Sequence, residues 1–136
     1  MRVEVQNNLG PAQVDSDALQ QAILNLLANA VKYSGESREI VLRLASQNAH
    51  AVIQVSDHGV GIPAREQARI FEKFYRVPTP ENQSIPGTGL GLTLVEHITR
   101  SHGGHVEVES APGKGSTFSI HLPLQEPLRE TLGEKR

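Results

Sequence analysis

Three glycines at alternate positions, Gly87, Gly89 and Gly91 in PGTGLGLTLVEHI (86–98), stand where an amphipathic helix begins. Glycine is among the poorest helix formers, at about 1 kcal/mol per residue relative to alanine. Such a start needs an offsetting gain. A phosphate held against bare backbone N–H groups at a helix N-terminus supplies one; a flexible loop ahead of a helix is the plainer reading. GTGLGL lacks the Gly-Lys-Ser/Thr ending of a P-loop.

The pattern around this stretch predicts an α+β chain. Val3 and Val5 alternate with Arg2 and Glu4 as a short strand. Asp15, Ser16 or Asp17 caps a helix that runs to about Tyr33 and stops near Gly35, with Leu19, Ile23, Leu26, Leu27 and Ala30 as its apolar stripe. IVLRLA (40–45) and AVIQVSD (51–57) read as antiparallel strands joined by a polar turn from Ser46 to Ala49. Pro63 opens a short helix to about Ile70. Residues 77–88 hold three prolines and no period, a long loop of the kind that forms a lid. A helix from about Leu90 to His102 and a hairpin of HVEVES (105–110) with STFSIHL (116–122) complete the domain at residue 124. Residues 125–136 read as a flexible tail. The sum is a two-layer sandwich: one mixed sheet of about five strands, with about three helices on one face.

Composition removes several function classes. The chain has 136 residues, 38% of them hydrophobic, enough for one folded domain. It contains no cysteine, which excludes disulfides and thiolate zinc sites. A net charge of −2 argues against a nucleic-acid partner. No apolar run approaches the length of a membrane span, so the stretch reads as soluble and without direct membrane contact.

The candidate chemistry begins on the first helix. Asn25, Asn29 and Lys32 recur at helical spacing opposite the leucine stripe. An amide oxygen can coordinate a hard cation such as Mg²⁺, and a lysine ammonium can meet phosphate; a solvated helix face is the alternative. Asp57 is in phase with Ala51, Ile53 and Val55, so on a core-facing strand its carboxylate points inward. A buried carboxylate needs donors, and a ligand amino group such as that of adenine is one. Gly59 and Gly61 let the chain turn close to that ligand, although a capped turn explains D-x-G-x-G equally well. Gly59, Gly61 and Ala64 also mimic a dinucleotide fingerprint. That motif requires an acidic strand end about 20 residues on, and Glu81, at that distance, lies in the proline-rich loop.

Taken together, these segments resemble the boxes of one family. NLLANAVKYS (25–34) looks like the N box, DHGVG (57–61) the G1 box, FEKFYR (71–76) the F box and GTGLGL (87–92) the G2 box, with GKGSTF (113–118) as the last glycine turn. The order and spacing are those of the ATP-binding catalytic domain of bacterial two-component sensor histidine kinases. Those domains share the Bergerat, or GHKL, fold with Hsp90, type II topoisomerases and mismatch-repair ATPases.

The resemblance implies roles for individual residues. Asn29 would be the principal Mg²⁺ ligand, assisted by Asn25, while Lys32 and Tyr33 would contact phosphates or ribose. Asp57 would accept from the adenine amino group, with Thr117 supporting it through water, beside Gly59 and Gly61. Gly87, Thr88, Gly89, Leu90, Gly91 and Leu92 would cradle the triphosphate. Phe71 and Phe74 would anchor the base of the lid, and Arg76 would reach phosphate or the partner domain. Where ATP-hydrolysing relatives carry a glutamate one turn before the metal-binding asparagine, this chain has Asn25, and an amide cannot serve as a general base. A kinase is therefore implied rather than a hydrolase. No histidine here is followed by glutamate, as the family's phosphoacceptor is. The acceptor would thus lie on a separate dimerisation domain, with a response regulator downstream. The resemblance also implies a cytoplasmic domain of a protein attached to the inner membrane. His97, His102 and His105 match no zinc-ligand spacing. A non-catalytic nucleotide-binding or docking module of the same fold is the alternative reading.

Overall fold

The computed structural model of the protein describes residues 1–6, 14–34, 39–77 and 90–124. Strands β1 (Arg2–Val5), β2 (Ile40–Gln47), β3 (His50–Asp57), β4 (His105–Ser110) and β5 (Ser116–Pro123) form one sheet in the order β1-β2-β3-β5-β4. β1 is parallel to β2 and the other neighbours are antiparallel, so the sheet is mixed. Helices α1 (Ser16–Tyr33) and α2 (Gly91–Ser101) pack on each other and on the sheet. The expected two-layer α+β architecture is therefore present.

Strand alternation assigns the two faces. Ile53 and Val55 on β3 and Phe118, Ile120 and Leu122 on β5 form the core with Ala22, Leu26 and Ala30 of α1 and Val95 and Ile98 of α2. The opposite face is polar, with Ser56 bonded to Thr117 at 2.9 Å and Gln54 Nε2 donating to Ser119 Oγ at 3.1 Å. Asp15 caps α1, its Oδ1 accepting from the Ala18 N–H at 3.1 Å. Asp17 in the first turn and Lys32 in the last complement the helix dipole. The fully buried positions of α1 are Ala22, Leu26 and Ala30, and Asn25 and Asn29 flank that stripe half-buried rather than lying opposite it.

Three local expectations are corrected. The polar turn between β2 and β3 is only Asn48-Ala49, at φ 52° and 65°, and the strands extend through Gln47 and from His50. Positive φ at both central residues is the type I′ geometry, which matches strand twist. The helix expected from Pro63 to Ile70 is a 3-10 turn at Ala64–Glu66, followed by further i→i−3 bonds such as Arg69 N–H to Glu66 O at 2.9 Å and Glu72 N–H to Arg69 O at 3.0 Å. Gln67 tethers this segment, its Nε2 donating to the carbonyls of Ile62 and Ser110, while Ile70 and Phe71 turn into the core. Phe71 packs edge-on against Phe118, but Phe74 is 69% exposed at φ 65° and, among the described residues, stands outside the core.

The lid expected at residues 77–87 (Val77 apart), Gly35 and the tail expected at 125–136 lie outside the described residues. Among the described residues, no helix is long and apolar enough to cross a membrane.

Candidate functional site

The turn after β3 is held from both sides. The Val60 N–H donates to the Tyr33 carbonyl at 3.1 Å, and the Val60 carbonyl accepts from the Gly113 N–H at 2.8 Å. At Gly59 this docking leaves no room for a side chain, since a Cβ would stand 1.7 Å from the Tyr33 carbonyl oxygen. At Gly61, with φ 74°, a Cβ would lie 1.9 Å from the Ala111 oxygen. Ser110 Oγ accepts from the Ile62 N–H at 2.8 Å and completes the clamp. Residues 57–62 are thereby pinned between the end of α1 and the β4–β5 turn.

That pinning shapes a cleft of about 1010 Å³, open to solvent. Asn25, Asn29, Lys32 and Tyr33 of α1 line one side. Val60, Ile62, Ile70, Val77 and Leu92 supply apolar wall, and Asp57 and Ser116 lie at the strand ends. Tyr75 and Arg76 reach the same cleft; Tyr75 is fixed by a hydrogen bond from its hydroxyl to Glu66 and by the Arg69 guanidinium 4.2 Å over its ring.

Asp57 is 7% exposed. Its Oδ1 accepts from the Gly59 N–H at 2.8 Å, and the Ser116 N–H also bonds the carboxylate. Burial nevertheless outweighs these donors and raises the pKa above its ordinary 3.8. A carboxylate has about four acceptor positions, so capacity remains for a donor entering from the cleft.

The structure thus brings together Asn25, Asn29, Lys32, Tyr33, Asp57, Gly61, Arg76, Gly91 and Leu92. Gly59 sits behind the cleft, where it allows the close approach to α1. Leu90 is the residue before α2, and its side chain makes no cap bond. Gly87, Thr88 and Gly89 lie outside the described residues. Thr117 is turned away: it pairs with Ser56 on the opposite sheet face, and Ser116 is the residue opposite Asp57. Strand parity explains the shift, because adjacent residues point to opposite faces. Sequence reasoning missed Ser116 and the apolar wall of Val60, Ile62 and Ile70. Counting parity back from Phe118 would have found Ser116.

A profile of the histidine kinase-, DNA gyrase B- and HSP90-like ATPase family matches residues 14–126. The chain belongs to that family. It is 40% identical over 123 residues to the circadian input-output histidine kinase CikA of Synechococcus elongatus, covering 90% of this chain and 16% of that protein. It is 43% identical over 117 residues to the sensor histidine kinase TmoS of Ectopseudomonas mendocina, covering 85% of this chain and 12% of TmoS. The chain therefore spans a small part of these relatives. Among solved structures, the mycobacterial sensor histidine kinase MprB superposes with a TM-score of 0.73 at 35% identity, over 92% of this chain and 84% of that one. Full-length ShkA in complex with AMPPNP gives 0.79 at 29% identity, over 93% of this chain and 26% of ShkA. The family is one of ATPase and kinase domains, and the cleft described above gathers described residues from segments 25–33, 57–62, 70–77 and 91–92.

Proposed function

We propose that this chain is the catalytic domain of a sensor histidine kinase, binding ATP in the cleft and delivering its γ-phosphoryl group to a histidine on a separate dimerisation domain. One observation carries the reading: a buried carboxylate, Asp57, ends an apolar slot whose other wall presents Asn25, Asn29 and Lys32. The slot suits a flat base, and the free acceptor capacity of Asp57 suits an exocyclic amino group. The amide oxygens of Asn29 and Asn25 fit a hard cation. Mg²⁺ held there would neutralise phosphate charge. Lys32 and Arg76 supply further positive charge, and the first-turn N–H groups of α2, which begins at Gly91 with no side-chain cap among the described residues, suit an anion. Asn25 withholds a general base from water, so the residues position a phosphoryl group rather than activate a hydrolytic nucleophile. The complex of the similar ShkA with AMPPNP supports nucleotide occupancy.

The test has two arms. Calorimetric titration with ATP, with and without Mg²⁺, should give Mg²⁺-dependent binding in the micromolar to millimolar range. Incubation with γ-labelled ATP should leave this chain unlabelled, while a histidine-bearing helical hairpin added in trans acquires label slowly, because the tether's effective concentration is gone. Absence of nucleotide binding, or label on this chain alone, would overturn the proposal.

A further inference from the structure

The sheet face turned away from the helices carries a second constellation. β4 and β5 pair with His105 directly opposite His121, and Glu107 lies two residues along β4 on the same face. The Glu107 carboxylate bridges the Nε2 edges of the two rings: His105 Nε2 is 3.2 Å from its Oε2, and His121 Nε2 is 3.2 Å from its Oε1. The imidazoles stack with centroids 4.4 Å apart and planes 7° from parallel. Each of the three residues offers a ligand atom, all within 4.8 Å of one another.

We propose that His105, Glu107 and His121 bind one divalent transition-metal ion of the zinc class. Metal–ligand bonds of about 2.0–2.1 Å in a tetrahedron separate ligand atoms by about 3.3 Å, close to both carboxylate–imidazole distances here. Two imidazoles and a carboxylate favour Zn²⁺, Ni²⁺ or Cu²⁺ over Mg²⁺ and Ca²⁺. Three protein ligands leave a fourth position for water. His50, whose ring stands 6.5 Å from that of His105, is next to the site. Its Nδ1 lies 3.0 Å from the Asn48 carbonyl and so donates there, which leaves Nε2 with a lone pair for an outer ligand or hydrogen-bond role.

Binding requires two local changes, both small. The Nε2 protons that now face Glu107 must leave or move to Nδ1, and the rings must tilt from their parallel stack so that both lone pairs meet one point. Rotation about the terminal torsion of histidine is soft. His121 is anchored on the interior strand β5 with its side chain 16% exposed, while His105 and Glu107 are more open. The two ends of β5 therefore serve different sites: Ser116 borders the cleft on the helix side, and His121 lies five residues, or about 17 Å, further along on the other face.

The test uses the whole chain, purified without a polyhistidine tag. Calorimetry with ZnCl₂ should show one ion per chain in the micromolar range, and Mg²⁺ at the same concentration none at this face. Co²⁺ should develop the visible absorption of a four-coordinate nitrogen–oxygen site. His121→Gln and Glu107→Gln should each weaken Zn²⁺ binding at least tenfold, while nucleotide affinity stays as in the parent. Folding of each variant is checked by its amide NMR spectrum. Absence of saturable Zn²⁺ binding, or equal affinity in folded His105→Gln and His121→Gln variants, would overturn the proposal.

Discussion

The backbone N–H of Asp15 donates to Nε2 of His102, 87 residues away in sequence, at 2.8 Å. Nδ1 of the same ring donates to the Ile98 carbonyl at 2.8 Å. One imidazole therefore joins the N-terminus of α1 to the C-terminus of α2, and these two bonds fix its neutral Nδ1–H tautomer. The Asp15 N–H lies outside the ladder of α1, while the Ile98 carbonyl also accepts from Ser101 Oγ at 2.8 Å. His102→Ala should lower stability by about 1–2 kcal/mol, read as a lower urea midpoint with an unchanged slope. An unaltered midpoint would mean that water replaces the ring at no cost.

Gly59 is a packing requirement before it is a functional one. Gly59→Ala must push the β3–α1 junction apart, because the obstructing atom is a backbone carbonyl and not a side-chain tip. A loss of about 1–3 kcal/mol is expected, together with weaker nucleotide binding, since the Val60–Tyr33 bond that aligns the cleft walls is also disturbed. Denaturant titration of the variant measures the first and calorimetry the second. A variant as stable as the parent would show that this junction can slide.

These two sites show what the sequence could and could not reveal. The start of α1 among Asp15, Ser16 and Asp17, the inward phase of Asp57 and the two antiparallel strand pairs follow from periodicity and turn chemistry. The sequence motif offers Gly59 as room for a ligand, whereas the structure places the Tyr33 carbonyl there, a contact set by tertiary docking. The family motif points Thr117 toward Asp57, and strand parity gives that place to Ser116. The 3-10 turn at Ala64–Glu66 was hidden because the Gln67 tether joins residues 43 apart in sequence. His105 showed no ligand spacing along the chain, since its partner His121 arrives only through β-pairing.

Asp57 gives the ligand-free chain a pH dependence whose sign is fixed. Its folded pKa is raised by burial, so its contribution to stability is full below the unfolded value and is lost as pH rises through the folded one. Above that window the ionised carboxylate destabilises the empty cleft, and a ligand amino group offsets the cost. Asp57→Asn should remove this slope from urea midpoints measured from about pH 4 to about pH 8. The same variant should bind ATP more weakly by about 1.5–3 kcal/mol, on the order of 10- to 100-fold, and discriminate less against GTP. A variant with the parent's slope, affinity and base preference would take Asp57 out of the site.

Gly91 separates fold from function more cleanly than any other cleft residue. It is the first residue of α2, and among the described residues a Cβ added there meets nothing within 4 Å. Alanine is the better helix former by about 1 kcal/mol in a helix interior, so Gly91→Ala should leave the empty chain unchanged or up to about 1 kcal/mol more stable. A phosphate seated against the bare backbone at this point would meet the new methyl group, and affinity for ATP should fall about tenfold while the melting temperature holds or rises. Adenosine, which has no phosphates, should bind the variant and the parent alike. Loss of adenosine binding in the same proportion would place the effect in the base slot rather than at the helix start. Undiminished ATP affinity would mean that the glycine at this position offers no contact to the phosphates and that the helix start is free of ligand.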